Sequence, residues 1–253
     1  MRKALVILVL SVTTIFGLGQ DASFSGGDAL PAEGQTPPPA SGLELIVEGL
    51  ERLPHEPLTM TGQLIMRLPR GVVSKSFLFE VFFEWGAEPP VAIYKIFDMK
   101  TNLLETVHAT AGHTPTLKRT LPGSDEVTNP EWNERIQGTD LTWLDATVAF
   151  LWWKDPTLAN KTERIKGRLC DIVDIFPPTP VPDCAKVRMW LDREVKLLMQ
   201  AEEHSPAGKT NRKLWVRAVK KIRGRWMIRD MEVELRGTGH RTRLHIEDVK
   251  DVE

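Results

Sequence analysis

The chain has 253 residues, with 33 Lys or Arg against 34 Asp or Glu, and a net charge of −1. The lack of a positive excess argues against a general nucleic-acid-binding protein.

The N-terminus has the pattern of an export signal. Arg2 and Lys3 precede an apolar run from Ala4 to Leu18, and Gly17 and Gly19 supply small residues at a cleavage site. This pattern predicts a secretory signal peptide over residues 1–19. The apolar run is short for a membrane span, and no cysteine follows it that could carry a lipid. We therefore expect a soluble exported protein.

The next segment, residues 20–42, is rich in Gly, Pro, Ala and Ser, which predicts a disordered tether. The remaining residues, 43–253, are enough for one domain with a sizeable core. Ser41 and Glu44 fit a capping box that begins an amphipathic helix. Its predicted apolar stripe ends before Pro54 and consists of Leu43, Ile46, Leu50 and Leu53.

From Pro57 the apolar period changes to two, which is typical of strands. Four such runs, separated by hairpin-sized gaps, predict an antiparallel meander: LTMTGQLIMRL, SKSFLFEVFFEW, PVAIYKIFDMK and LLETVHAT. The second half contains six more: ERIKGRLCDIVDIF, CAKVRMWLDRE, VKLLMQAEEH, RKLWVRAVKKI, RWMIRDMEVEL and RTRLHIEDV. The predicted fold is mainly β with some α, a strongly curved, incomplete antiparallel barrel of about 10–11 strands whose opening is covered by helices.

Between the two groups of strands, residues 141–153 predict a second helix, with Thr142 and Asp145 as its capping pair and Asp155 and Pro156 ending it. One apolar stripe would contain Leu141, Leu144, Val148, Leu151 and Trp152. Three further aromatic residues fall outside that stripe: Trp143, Phe150 and Trp153. Such a helix is either sandwiched between sheet and helix, or faces an apolar space that is not always filled.

Cys170 and Cys184 flank the proline-rich stretch PPTPVP. In an exported protein we expect them to form a disulfide, worth about 3 kcal/mol for a loop of this size. A metal site is the weaker alternative, because no CxxC or HxxxH pattern lies nearby.

The segment GTDLTWLDAT, residues 138–147, resembles the Gly-x-Asp signature of the outer-membrane lipoprotein-sorting proteins, the LolA-like family. The runs RIKGRLCDIV, AKVRMWLDREVKLLMQAEEHSPAGKTNRKLWV and GRWMIRDMEVELRGTGHRTRLHIEDV extend the resemblance over residues 135–249. It implies a nearly closed antiparallel sheet around an apolar cavity that takes the acyl chains of a lipoprotein or lipid. No catalytic group is implied, and on this basis the surplus aromatic residues would line the cavity.

The sequence carries few signs of catalytic or cofactor chemistry. Hydrolase, P-loop, dinucleotide and zinc-protease motifs are missing, and no cofactor or metal is predicted. Asp140 and Asp145 could be paired carboxylates, although helix capping explains them more simply. Between Lys186 and Arg229 there are 13 Lys or Arg and four Asp or Glu. This basic excess indicates either a solvated face or attraction to anionic headgroups or an acidic partner.

The leading hypothesis is a non-enzymatic periplasmic carrier of acylated ligands, with transient contacts to membrane or envelope proteins. A lipoprotein sensor built on the same fold is the alternative. The predicted cavity residues are Trp85, Trp143, Phe150, Trp153, Trp190 and Met199.

Overall fold

The structure is a computed structural model that describes residues 34, 36–112, 114–222 and 224–251. The predicted signal peptide and most of the predicted tether lie outside these residues. Within the described end of the tether, the Thr36 hydroxyl donates a hydrogen bond to the Glu194 carboxylate. No helix in the described ranges is both long and apolar enough to cross a membrane.

The described strands form one antiparallel sheet of thirteen strands, in the order β6-β5-β4-β3-β2-β1-β13-β12-β11-β10-β9-β8-β7. The first half is a meander, and its strand β1 pairs with the last strand, β13. The strands are β1 Leu58–Arg67, β2 Val73–Glu84, β3 Val91–Phe97, β4 Leu103–Thr110, β5 Thr116–Thr120, β6 Val127–Thr128, β7 Thr157–Ile165, β8 Arg168–Ile175, β9 Lys186–Asp192, β10 Leu198–His204, β11 Thr210–Ile222, β12 Arg225–Leu235 and β13 His240–Asp251.

The predicted fold class is confirmed, with more strands than the apolar patterns indicated. The run Glu163–Phe176, interpreted from sequence as one strand, is the β7–β8 hairpin. Its turn residues, Lys166 and Gly167, both have positive φ, as a two-residue type I′ turn requires. The short edge strands β5 and β6 were also not predicted, because segments of two to five residues are too short to show a clear alternation of apolar residues.

The sheet curves around a shared core. Val107 on β4 and Val173 on β8 belong to one buried cluster, although nine strand positions separate β4 from β8 in the sheet order. At roughly 4.8 Å per strand, a flat sheet would keep them more than about 40 Å apart. Bulges assist this bending, since a register shift at Thr61 and Gly62 interrupts the β1–β13 pairing.

Helix α1, Gly42–Glu51, begins at the predicted N-cap, where the Ser41 side chain accepts from the backbone N–H of Glu44. The predicted apolar stripe is only partly correct. Leu43 is 58% exposed, whereas Leu45 and Ile46 are buried against the sheet. The buried face therefore lies about a third of a turn from the position that Leu43 would give it.

The second predicted helix is much shorter than residues 141–153. Helix α2 spans Trp143–Thr147, with Thr142 and Asp145 forming the predicted capping box. Val148 then adopts the left-handed conformation, with φ of 44°, and the chain continues as a 3-10 turn over Ala149–Trp152. The chain changes direction at this break. The residues of the predicted apolar stripe therefore do not lie along one face of a single helix.

Candidate functional site

An apolar hollow occupies one end of the curved sheet. It encloses about 1050 Å³, counting the part open to solvent. Many of its wall residues lie near the end of the sheet that carries the β2–β3, β9–β10 and β11–β12 turns, which we call the hollow end. The wall consists of Ile46, Gly49, Leu50, Leu53, Met60, Phe79, Val81, Phe83, Trp85, Tyr94, Ala146, Val148, Leu151, Trp152, Leu191, Lys196, Leu197, Leu198, Trp226, Met227, Ile228, Met231, Leu244 and Ile246.

Two polar side chains of this wall, Tyr94 and Lys196, are bonded to protein. The Tyr94 hydroxyl donates to the Ala146 carbonyl at 3.0 Å, and burial raises the pKa of Tyr94 well above its usual range. The Lys196 ammonium lies 2.8 Å from a Glu48 carboxylate oxygen. The hollow consequently offers apolar side chains to a ligand, with one paired cation at its border.

Helix α1 covers the hollow from one side. Its residues Ile46, Gly49 and Leu50 belong to the wall. Besides the Glu48–Lys196 ion pair, Arg52 donates to the Glu194 carbonyl at 2.9 Å. A Cβ on Gly49 would lie 3.0 Å from the Lys196 carbonyl oxygen, so the helix backbone rests directly on the β9–β10 turn.

Three of the predicted cavity residues lie in the packed core. Trp143, Phe150 and Trp153 are 0%, 2% and 7% exposed and do not belong to the wall of the hollow. Trp143 packs edge-on against Tyr94 at 5.7 Å between ring centroids, and Phe150 against Trp153 at 6.4 Å. The break at Val148 instead presents Val148, Leu151 and Trp152 to the hollow.

The predicted strand residues divide between two places. Trp85 lines the hollow and stacks on Phe83, with ring centroids 4.4 Å apart. Trp190 and Met199 lie in a separate buried cluster that includes Cys170, and the Trp190 indole donates to Glu163 at 3.0 Å. Both residues lie on strands that are buried on both faces. The alternation of side chains along such a strand does not show which of the two faces a given residue is on.

Trp226 is a large aromatic residue of the wall that was not predicted from the sequence. It is the second residue of β12 and is followed in the wall by Met227 and Ile228. A run of three apolar residues at the start of an otherwise alternating strand was the available signal.

The predicted disulfide is not formed. Both cysteines are free and buried, and burial raises the pKa of each thiol to about 12. Cys170 pairs with Asp192 at the far end of β9, whereas Cys184 precedes that strand. The seven residues of β9 span about 20 Å at roughly 3.3 Å each, far beyond the approximately 7 Å limit between the Cα atoms of a bridge.

A buried polar network holds α2 and the segment before it. Arg212 donates to the Asp145 carboxylate and to the Asp140 carbonyl. Thr242 donates to the Asp140 carboxylate at 3.1 Å and accepts from the Asp140 N–H. Asp145 also caps α2, so the two carboxylates have separate structural partners and do not form an acid–base pair.

Glu203 lies close to this network. Its burial, with a further contribution from Asp145, raises the pKa of Glu203 to about 7, while Arg212 acts in the opposite direction. Among the described residues, no group of three His, Cys, Asp or Glu side chains is placed to hold a metal ion. The network thus fastens the α2 segment to β11 and β13 through interactions that are all internal.

Solved structures share this architecture. The chain aligns with a putative outer membrane lipoprotein-sorting protein domain from Vibrio parahaemolyticus at a TM-score of 0.71 and 16% identity, covering 83% of this chain and 92% of that one. A DUF1329 family protein from Desulfovibrio piger gives 0.69 and 16%, covering 83% and 91%. A LolA superfamily protein from Nitrosomonas europaea gives 0.66 and 14%, covering 85% and 95%. The fold is LolA-like, as the sequence resemblance predicted.

The family assignment comes from the sequence. A family model described as "Uncharacterized protein" matches residues 115–251, more than half of the chain, and the chain belongs to that family. A comparison with the curated proteins finds no significant match.

Proposed function

We propose that this protein is a periplasmic, non-catalytic carrier that binds the acyl chains of a lipoprotein or lipid in the hollow. The observation that carries the proposal is an apolar hollow inside a LolA-like sheet, with a volume of about 1050 Å³ that includes the part open to solvent.

The energetics favour an alkyl ligand. Each methylene transferred from water into an apolar site contributes about 0.8 kcal/mol. Since the Tyr94 hydroxyl and the Lys196 ammonium already have partners, the hollow provides few free polar groups that would favour a sugar, nucleotide or peptide. No residue is assigned a catalytic role in this proposal.

The natural ligand can be sought directly. Native mass spectrometry of protein isolated from the periplasmic fraction should show an adduct with the mass of an acylated molecule. A protein that stays ligand-free and also fails to bind fluorescent fatty-acid probes would contradict the carrier. A stoichiometric protein partner captured without lipid would instead favour the sensor.

A substitution that fills the hollow tests whether the acyl chain binds there. Ile228 is a half-buried wall residue, so Ile228→Trp should place an indole in the space that the acyl chain needs. Losing the burial of two methylenes corresponds to roughly tenfold weaker binding of a fluorescent fatty acid, measured by titration. The matched control is Val127→Trp, because Val127 is 55% exposed on the edge strand β6. Equal affinities of the two variants would contradict this location.

A further inference from the structure

The β11–β12 hairpin extends beyond the strands on either side of it. β10 pairs with β11 only over Thr210–Trp215, and β13 pairs with β12 only over Asp230–Leu235. Within the described part of the sheet, β11 pairs only with β12 over residues 216–222, and β12 pairs only with β11 over residues 225–228. We call this two-stranded segment, residues 216–229, the ribbon. It lies at the hollow end of the sheet.

The ribbon is strongly basic. Residues 217–229 include six Lys or Arg and no Asp or Glu. Lys220 and Lys221 are exposed, and no ion pair to either is found among the described residues. Basic residues nearer the middle of the sheet differ: Arg217 on β11 pairs with Glu232, and Arg243 on β13 pairs with Asp230. Lys220 and Lys221, close to the β11–β12 turn, therefore carry positive charge that no described acidic side chain pairs with.

The ribbon also connects this charge to the hollow. Lys221 and Trp226 are direct cross-strand partners, which places their side chains on the same face of the ribbon. Trp226 is half-buried and belongs to the wall of the hollow. An ammonium group, an indole and an apolar space thus follow one another at the hollow end.

We propose that the ribbon docks the protein on an anionic lipid bilayer. Lysine side chains near such a surface are attracted by its negative potential, and tryptophan prefers the interface between headgroups and acyl chains. Docking through Lys220, Lys221 and Trp226 turns the hollow end toward the lipid. An acyl chain then moves between bilayer and hollow with little exposure to water. This inference rests on the proposed function, which supplies the cargo.

The test compares two pairs of exposed lysines. Co-sedimentation is measured with phosphatidylcholine vesicles, with and without phosphatidylglycerol, using the protein and its Lys220→Gln/Lys221→Gln variant. We expect binding only to the anionic vesicles, weakening as salt is added, and roughly thirty-fold weaker for the double variant. The control is Lys100→Gln/Lys118→Gln, which removes two exposed lysines from the β3–β4 turn and β5 and should bind as the unmodified protein does.

Three results would overturn the docking surface. The first is that the protein does not bind anionic vesicles. The second is that the two double variants lose vesicle binding equally. The third is a complex with an acidic protein that needs Lys220 and Lys221 while vesicle binding is absent. Fatty-acid probe binding without vesicles is measured on the same variants and should not change. If probe binding fails while lysine-dependent vesicle binding persists, the carrier proposal fails and the docking surface is retained.

Discussion

At the scale of single residues, Glu203 shows how the buried network affects stability. Its side chain lies in an environment that penalises ionisation, with Asp145 adding to the penalty. The folded-state pKa of about 7 exceeds the ordinary value of 4.5. The folded protein therefore binds more protons than the unfolded chain between these values, and this residue makes stability fall as pH rises through that window.

Replacing Glu203 by Gln should remove this dependence. Above pH 7 the variant should be more stable than the unmodified protein by up to about 3 kcal/mol, and below pH 4.5 the difference should disappear. Urea unfolding at both pH values measures the effect. A variant that is less stable at pH 8 would show that ionised Glu203 is stabilised by its neighbours.

The cysteines provide a second prediction at this scale. Both thiols are buried with raised pKa values, so iodoacetamide should react slowly with the folded protein. In denaturant without a reductant, thiol titration should find two free sulfhydryls. Finding none would restore the disulfide that the spacing and the export signal favoured.

At the scale of elements, the bulge in β1 depends on Gly62. A Cβ at this position would lie 2.0 Å from the His245 carbonyl oxygen and 2.8 Å from the Phe79 ring. The carbonyl belongs to the backbone of the paired strand β13, so a methyl group fits only if the two strands separate. The central pairing of the sheet, which joins its first and last strands, therefore requires glycine here.

Gly62→Ala should lower the free energy of unfolding by several kcal/mol, because strand separation disturbs hydrogen bonds as well as packing. Chemical denaturation measures the loss. Gly123→Ala is a matched control, since a Cβ there meets no atom within 4 Å, although its φ of 73° carries a small strain of its own. Similar losses in the two variants would mean that the bulge does not depend on the missing side chain.

At the scale of the whole molecule, the interior of the sheet is divided into two parts. The α2 segment, fastened through Asp145 and Arg212, contributes Trp143, Phe150 and Trp153 to a dense core. The hollow occupies the other part, covered by α1. This division provides a firm scaffold beside a space that a ligand can occupy, in agreement with the proposed carrier role.

Much of this architecture could be predicted from the sequence. Alternating apolar residues predicted most strands, and the Thr142–Asp145 capping box predicted where α2 begins, because both depend on interactions within a few residues. The family signature beginning at Gly138 is explained in part by the left-handed backbone of that glycine, with φ of 65°.

The amino-acid sequence by itself therefore determined the antiparallel class, the capping sites and the LolA-like resemblance. Only the tertiary structure decided which large side chains face the hollow. Trp85 and Trp226 line it, whereas Trp143 and Trp190 are buried elsewhere. An indole buried against protein and one that borders an apolar space have the same local sequence pattern. Their surroundings are set by the curvature of the sheet and the break at Val148, which depend on contacts between residues far apart in the chain.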